Sequence, residues 1–148
     1  EVNEAKTRLR RVPAQGGDFL GYTIGRCYSP RTGRAYIGTR PATQSVRHVM
    51  QELSRLTARD TAWMTAAEVV RRINAVLVGW SNYFCLGPVS GAYRAIDRHV
   101  THRLRWWLCR KHKQAGQGYS RYPDEYLYAT LGLICLRRRT HDFPWAKA

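Results

Sequence analysis

No segment constrains this chain more than Thr65-Ala66-Ala67-Glu68. A Thr followed three residues later by Glu forms a capping box. The hydroxyl takes one opening N–H group of a helix while the carboxylate reaches back for another. Apolar residues then recur at Val69, Ile73, Val76, Leu77, Trp80 and Phe84, with Arg71, Arg72, Asn74, Ser81 and Asn82 on the remaining faces. The spacing predicts a helix from Thr65 to about Leu86, stopped by Gly87-Pro88. An apolar stripe of that width has to be covered, so the chain must supply partner elements.

Two further helices answer that need. Val46, Val49, Met50, Leu53 and Leu56 make a helical stripe after Pro41, with Arg47, His48 and Arg55 off it; Thr57 to Thr61 reads as a loop. From about Gly91 to Lys113, Tyr93, Ile96, Val100, Leu104, Trp107 and Leu108 share one face, and Arg94, Arg98, His102, Arg105 and Lys111 another, before Gly116-Gln117-Gly118 ends the helix. Pro123 suits the start of a short helix over Tyr122 to Leu131, and Leu133 to Leu136 reads as a final strand. The first forty residues are β and turn: a strand at Lys6 to Val12, a turn at Gln15 to Asp18, a strand at Phe19 to Ile24, a turn at Ser29 to Gly33 and a strand at Arg34 to Thr39. Three short strands do not bury a face by themselves. The fold class is therefore α+β, mainly α: short N-terminal strands followed by a three- or four-helix bundle, divided at 1–40, 41–118 and 119–148.

Charge narrows the partner. The 148 residues hold 25 Lys/Arg against 10 Asp/Glu, a net charge of +15, while 44% hydrophobic residues suffice for a core. Between Val69 and Pro123 ten Lys/Arg face a single acid, Asp97. Such a block repels itself and favours a polyanion, with nucleic acid preferred over an anionic membrane surface. No run of 18 apolar residues is present to span a bilayer. The opening Glu1-Val2-Asn3-Glu4 has no Met and no apolar leader, which suggests an upstream part. Cys27, Cys85, Cys109 and Cys135 form no C-x-x-C pair, so zinc ribbons are unsupported; Cys85 and Cys109 fit small buried thiols in a reduced, cytoplasmic compartment.

The stretch Arg72-Ile73-Asn74-x-x-Leu77-x-Gly79-Trp80-x-Asn82-Tyr83-Phe84 resembles the maturase-specific domain (domain X, or thumb) of group II intron reverse transcriptases. Ala5-Lys6-Thr7-Arg8 and Phe19-Leu20-Gly21-Tyr22 look like the last palm segments of those enzymes, and Tyr93 to Leu108 like the helix after the Gly-Trp-x-Asn-Tyr-Phe element. Pro144 to Ala148 looks like the C-terminus of members lacking an endonuclease domain. The resemblance implies that 1–40 ends a palm, 41–118 is the thumb bundle and 119–148 a basic extension. It also implies a ribonucleoprotein of group II intron RNA, an RNA–DNA template-primer as a further partner, and fingers and palm upstream. Two family features are missing. No Tyr-x-Asp-Asp is present and no endonuclease-type His/Cys cluster is found after the domain, so the chain carries no catalytic residue for polymerisation and calls for no cofactor of its own. Two-metal chemistry needs a close carboxylate pair, so Mg2+ is implied only for a longer parent.

The helical faces supply the candidate RNA contacts. Arg71 and Arg72, with Arg98, Arg105 and Lys111, are expected to make one basic wall; Arg47 and Arg110 are further candidate RNA contacts. Arginine offers a planar fork to phosphate and lysine a point charge, each releasing condensed counterions on contact; the plain alternative is a solvated face. Trp80 and Phe84 lie on the core stripe. Trp106 points away from it and is the candidate to stack on a base or a partner. Lys6 and Arg8 lie either near a primer terminus or on a charged hairpin edge. Arg137, Arg138 and Arg139 contact phosphate or form a solvated tail. His99 and His102, lacking a third ligand, read as surface imidazoles rather than a metal site.

Overall fold

A computed structural model of the protein describes residues 16–29 and 31–139. The strand expected at Lys6 to Val12, with Lys6 and Arg8, and the tail from His141 lie outside the described residues. The α+β class holds: a three-stranded antiparallel sheet precedes the helices. Strand β1 is Gly17–Phe19, β2 is Tyr22–Tyr28 and β3 is Ala35–Pro41, in the order β1-β2-β3.

The first hairpin corrects the expectation of a turn at Gln15 to Asp18 and an unbroken strand over Phe19 to Ile24. The chain instead reverses at Leu20-Gly21, with Phe19 paired to Tyr22. Both turn residues have positive φ, 49° and 79°. Two-residue hairpins take that conformation because its twist matches the flanking strands, and glycine accepts it without strain. The Gly21 carbonyl accepts the Ala42 N–H at 2.8 Å and the Ser45 hydroxyl at 2.9 Å, fixing the turn to the start of the first helix. Tyr22 ties the sheet to the second helix. Its hydroxyl donates to the Tyr83 carbonyl at 2.5 Å and its ring lies 5.0 Å from that of Phe84.

Helix α1 spans Thr43–Leu56, α2 Ala66–Tyr83 and α3 Ser90–Lys111. The Thr65 cap of α2 forms, with its Oγ1 accepting the Glu68 N–H at 3.2 Å. The core is the sum of the three predicted stripes. Leu53 from α1, Val69, Ile73 and Leu77 from α2, and Tyr93, Ile96, Val100 and Leu104 from α3 are fully enclosed. Phe84 is buried and Trp80 packs on it at 4.6 Å. The Tyr93 hydroxyl, pushed up to about 12 by burial, stays a neutral donor to the carbonyl of Phe84 at 2.9 Å. Cys85 and Cys109 are buried, and none of the four cysteines is in a disulfide.

After α3 the structure departs from expectation. Tyr122, Leu127, Leu133 and Leu136 enter the same core, so the chain from 119 to 139 is packed into the bundle. The expected short helix is present over residues 124–130, opened by the Leu127 N–H on the Pro123 carbonyl at 3.2 Å, but it widens into a π-type turn at Tyr126–Thr130, closed by the Leu131 N–H on the Tyr126 carbonyl at 3.0 Å. The expected strand at Leu133 to Leu136 is absent. No strand among the described residues lies there to pair with it, and side chains satisfy its backbone instead. Asn74 donates to the Gly132 carbonyl at 2.8 Å and accepts the Ile134 N–H at 2.9 Å. The carboxylate of Asp97, only 2% exposed, accepts the N–H groups of Leu136 at 2.9 Å and Arg137 at 3.1 Å. These two bonds open a single helical turn, α4, Leu136–Arg139.

Removing a buried acceptor orphans its donors, and bonds to a charged group contribute about 1.5–3 kcal/mol each. Asp97→Ala is expected to lower the unfolding free energy by roughly 2–4 kcal/mol in urea titration and to open the chain beyond Gly132 to limited proteolysis. Retention of wild-type stability and protection would contradict this account of the C-terminal segment.

Candidate nucleic-acid interface

Helix α3 carries basic side chains on two flanks, and the helical period decides which residues share a flank. Arg94, Arg98, Thr101 and Arg105 recur at i, i+4, i+7 and i+11, along one line. With Tyr119, Asp124, Tyr128 and Arg137 they line a cleft of about 530 Å³ between α3 and the C-terminal segment. Arg94 and Arg98 are exposed, and neither has an ion-pair partner among the described residues.

Arg105 corrects the expectation of an open phosphate contact. It is 4% exposed. Its Nε donates to the Tyr122 carbonyl at 2.7 Å, its terminal nitrogen meets the Asp124 carboxylate, and its guanidinium lies 4.6 Å from the Tyr119 ring. The cation builds the cleft by clamping the 119–124 loop onto α3. Arg137 stands exposed at the other wall, 3.4 Å from Asp97. Arg138 is exposed beside it, while Arg139 donates to Asn82 of α2 at 3.0 Å. The three arginines thus form α4 rather than a solvated tail.

The second flank holds Arg103, Trp106 and Arg110. Trp106 is 43% exposed, as expected of a ring pointing away from the core. It is not bare: the Arg110 guanidinium lies 3.9 Å from the ring centroid and that of Arg103 5.2 Å. Arg103 also donates to the carbonyls of Ser54 at 3.0 Å and Thr57 at 3.2 Å. Burial, and then the charge of Arg110, push the Arg103 pKa down. Lys111 leaves the expected wall altogether. Its ammonium donates to the carbonyls of Ala62 at 2.9 Å and Met64 at 2.7 Å, closing the α1–α2 connection onto the end of α3. Trp63, between those two carbonyls, is 76% exposed.

The single wall of Arg71, Arg72, Arg98, Arg105 and Lys111 is therefore not assembled. Arg98 and Arg105 meet at the cleft, whose lining contains neither α2 arginine. Arg71 and Arg72 are exposed on α2, with Arg72 held by Glu68 at 2.9 Å; Arg47 is exposed on α1. Arg94, Arg103, Tyr119 and Tyr128 join the site without having been candidates from sequence. Arg94 carried a signal, since it stands four residues before Arg98 on the same stripe. The tyrosines carried none, because a loop brings them there.

Residues 46–123 match the family described as group II intron, maturase-specific domain, over more than half of the chain. The chain belongs to that family. Its domain implies a maturase function in group II intron splicing and intron RNA as the partner. No curated protein matches the chain. Among the described residues no helix is long and apolar enough to cross a membrane, and no group of His, Cys, Asp or Glu is arranged to hold a metal.

His99 also departs from expectation. Rather than a surface imidazole, it is a partly buried pin between helices, its Nε2 lying 2.9 Å from Ser54 Oγ and 3.0 Å from the Met50 carbonyl. Burial lowers its pKa, and the nearby Arg103 charge lowers it further. The unfolded chain then binds more protons than the folded one, so stability rises with pH across that window. Stability is expected to be flat above the ordinary histidine value of about 6.5 and to decline as pH falls below it. Urea titrations of wild type and His99→Gln between pH 5 and 8 check this: the variant should lose the slope, and an unchanged slope would refute the assignment.

Proposed function

We propose that this chain is the RNA-gripping part of a group II intron maturase and that the cleft along α3 takes the phosphate backbone of the intron. The observation that carries this reading is the pair Arg94 and Arg98: two exposed guanidiniums one turn apart, without acidic partners among the described residues, inside the maturase-specific domain. Arg137 and Arg138 extend the charge across the cleft mouth. Tyr119 and Tyr128 give the walls an aromatic component. Binding here is positioning: the cleft offers no reacting group, and gripping the folded intron biases it toward the form that splices.

The same reading makes the chain part of a longer RNA-directed DNA polymerase, with fingers and palm upstream, Mg2+ held there, and this part steadying an RNA–DNA template-primer in a cytoplasmic ribonucleoprotein. The β strands support it. Phe19, Leu20, Tyr28 and Ile37 are more than half exposed on a sheet of only three strands among the described residues, and apolar patches on a small sheet favour cover by further chain.

Each phosphate contact contributes about 0.9 to the slope of log K against log salt for a duplex. Arg94→Ala/Arg98→Ala is expected to reduce that slope by about 2 for a structured group II intron RNA, with Arg55→Ala as the control. Arg55 is engaged by Glu52 on the exposed side of α1. Equal slopes in all three proteins would remove the cleft from the interface. Equal affinity of wild type for intron RNA, a scrambled structured RNA and heparin would replace maturase recognition with general polyanion binding.

A further inference from the structure

Taking 100° per residue, the line through Arg94, Arg98 and Arg105 and the centre of Arg103, Trp106 and Arg110 lie roughly 130° apart around α3. The two clusters therefore face well-separated directions. They also differ in construction. The cleft mixes cations with Asp97 and Asp124. The Trp106 cluster has no carboxylate within ion-pair distance among the described residues. Two guanidiniums share one indole there, and Arg103 is held further by carbonyls at its base. Stacking on an aromatic face leaves the edge N–H groups of a guanidinium free to donate. Like charges kept this close, and partly withdrawn from water, gain most from an anion placed between them. With Arg103 and Arg110 beside its ring, Trp106 serves to hold the arginines rather than to stack a base.

We propose that Arg103, Trp106 and Arg110 form a second phosphate-backbone site, so that one copy of this domain holds two RNA segments on separate flanks of α3. This rests on the reading of the cleft as an RNA site. Two weak sites on one rigid helix raise the effective concentration of one bound segment near the other, so the domain would draw together distant parts of a folded RNA. Arg103 supplies both a donor and a structural tie to α1. Arg110, for which no protein acceptor is found among the described residues, is the residue free to vary.

The test is stoichiometry, measured with the whole chain and a short fluorescent RNA hairpin at concentrations well above Kd. Wild type should take two hairpins per chain. Trp106→Ala/Arg110→Glu should take one, Arg94→Glu/Arg98→Glu one, and the combined variant none, with far-UV circular dichroism showing that each is folded. Arg110→Lys, which keeps the charge but loses the planar stack, should weaken the second site by about tenfold without abolishing it. One hairpin on wild type, or two on the Trp106/Arg110 variant, overturns the second site and leaves the cleft standing. No hairpin on wild type overturns the reading of the cleft itself, and the second site with it.

Discussion

A buried carboxylate on the inner side of α3 governs where the last part of the chain goes. Asp97 lies among Tyr93, Ile96 and Val100, where an unpaired charge would cost several kcal/mol. It is stabilised by N–H groups that themselves need acceptors, since the segment before α4 has neither a helix nor a strand ladder to satisfy them. Each side of that exchange solves the other's problem. Once made, it seats Leu136 in the core, turns Arg137 toward the cleft and carries Arg139 to Asn82 at the end of α2. The only acid in the basic block between Val69 and Pro123 is thus used inside, leaving the outer charge of α3 largely unneutralised.

The cations of α3 divide into two kinds. Arg105 and Lys111 are consumed by the fold, one clamping the 119–124 loop and the other capping the α1–α2 connection through backbone carbonyls. Arg94 and Arg98 are spare, and Arg103 does both by bridging to α1 while resting on Trp106. A helix that uses some of its arginines as struts holds the remainder in fixed places. This is how a small bundle can present charge as a pattern rather than as a cloud.

Local period and local capping were the legible part of the sequence. The three apolar stripes, the Thr65 cap and the burial of Cys85 and Cys109 are set by residue spacing, and the structure has them. The hairpin at Leu20-Gly21 is hidden because a leucine at positive φ is against its own preference; the neighbouring Gly21 and its bonds to Ala42 and Ser45 decide the turn. The C-terminal segment misleads because Leu133 to Leu136 has β-like composition, while its backbone partners, Asn74 and Asp97, lie sixty and thirty-nine residues upstream of Ile134 and Leu136. At the interface, helical spacing groups Arg98 with Arg105 correctly. It does not reveal that Arg105 is covered by a loop or that α2 stands apart from the cleft. Side-chain partners across sequence distance, rather than the elements themselves, were the illegible part.

The wide turn at Tyr126–Thr130 leaves the chain with one backbone step more than an α-helical turn would use. It acts as a phase adjuster. Leu127 on one side of the turn's end and Leu133 and Leu136 beyond it reach the same core, and the extra step sets the phase in which the later residues arrive. Gain or loss of a single residue in this turn would swing the remaining chain by roughly 100° about its axis. The clasp of Asn74 on Gly132 and Ile134 would be lost, and Asp97 would be left holding a charge with no donors. Over these few residues the count of amino acids is constrained as firmly as the identity of Leu127, which the core encloses.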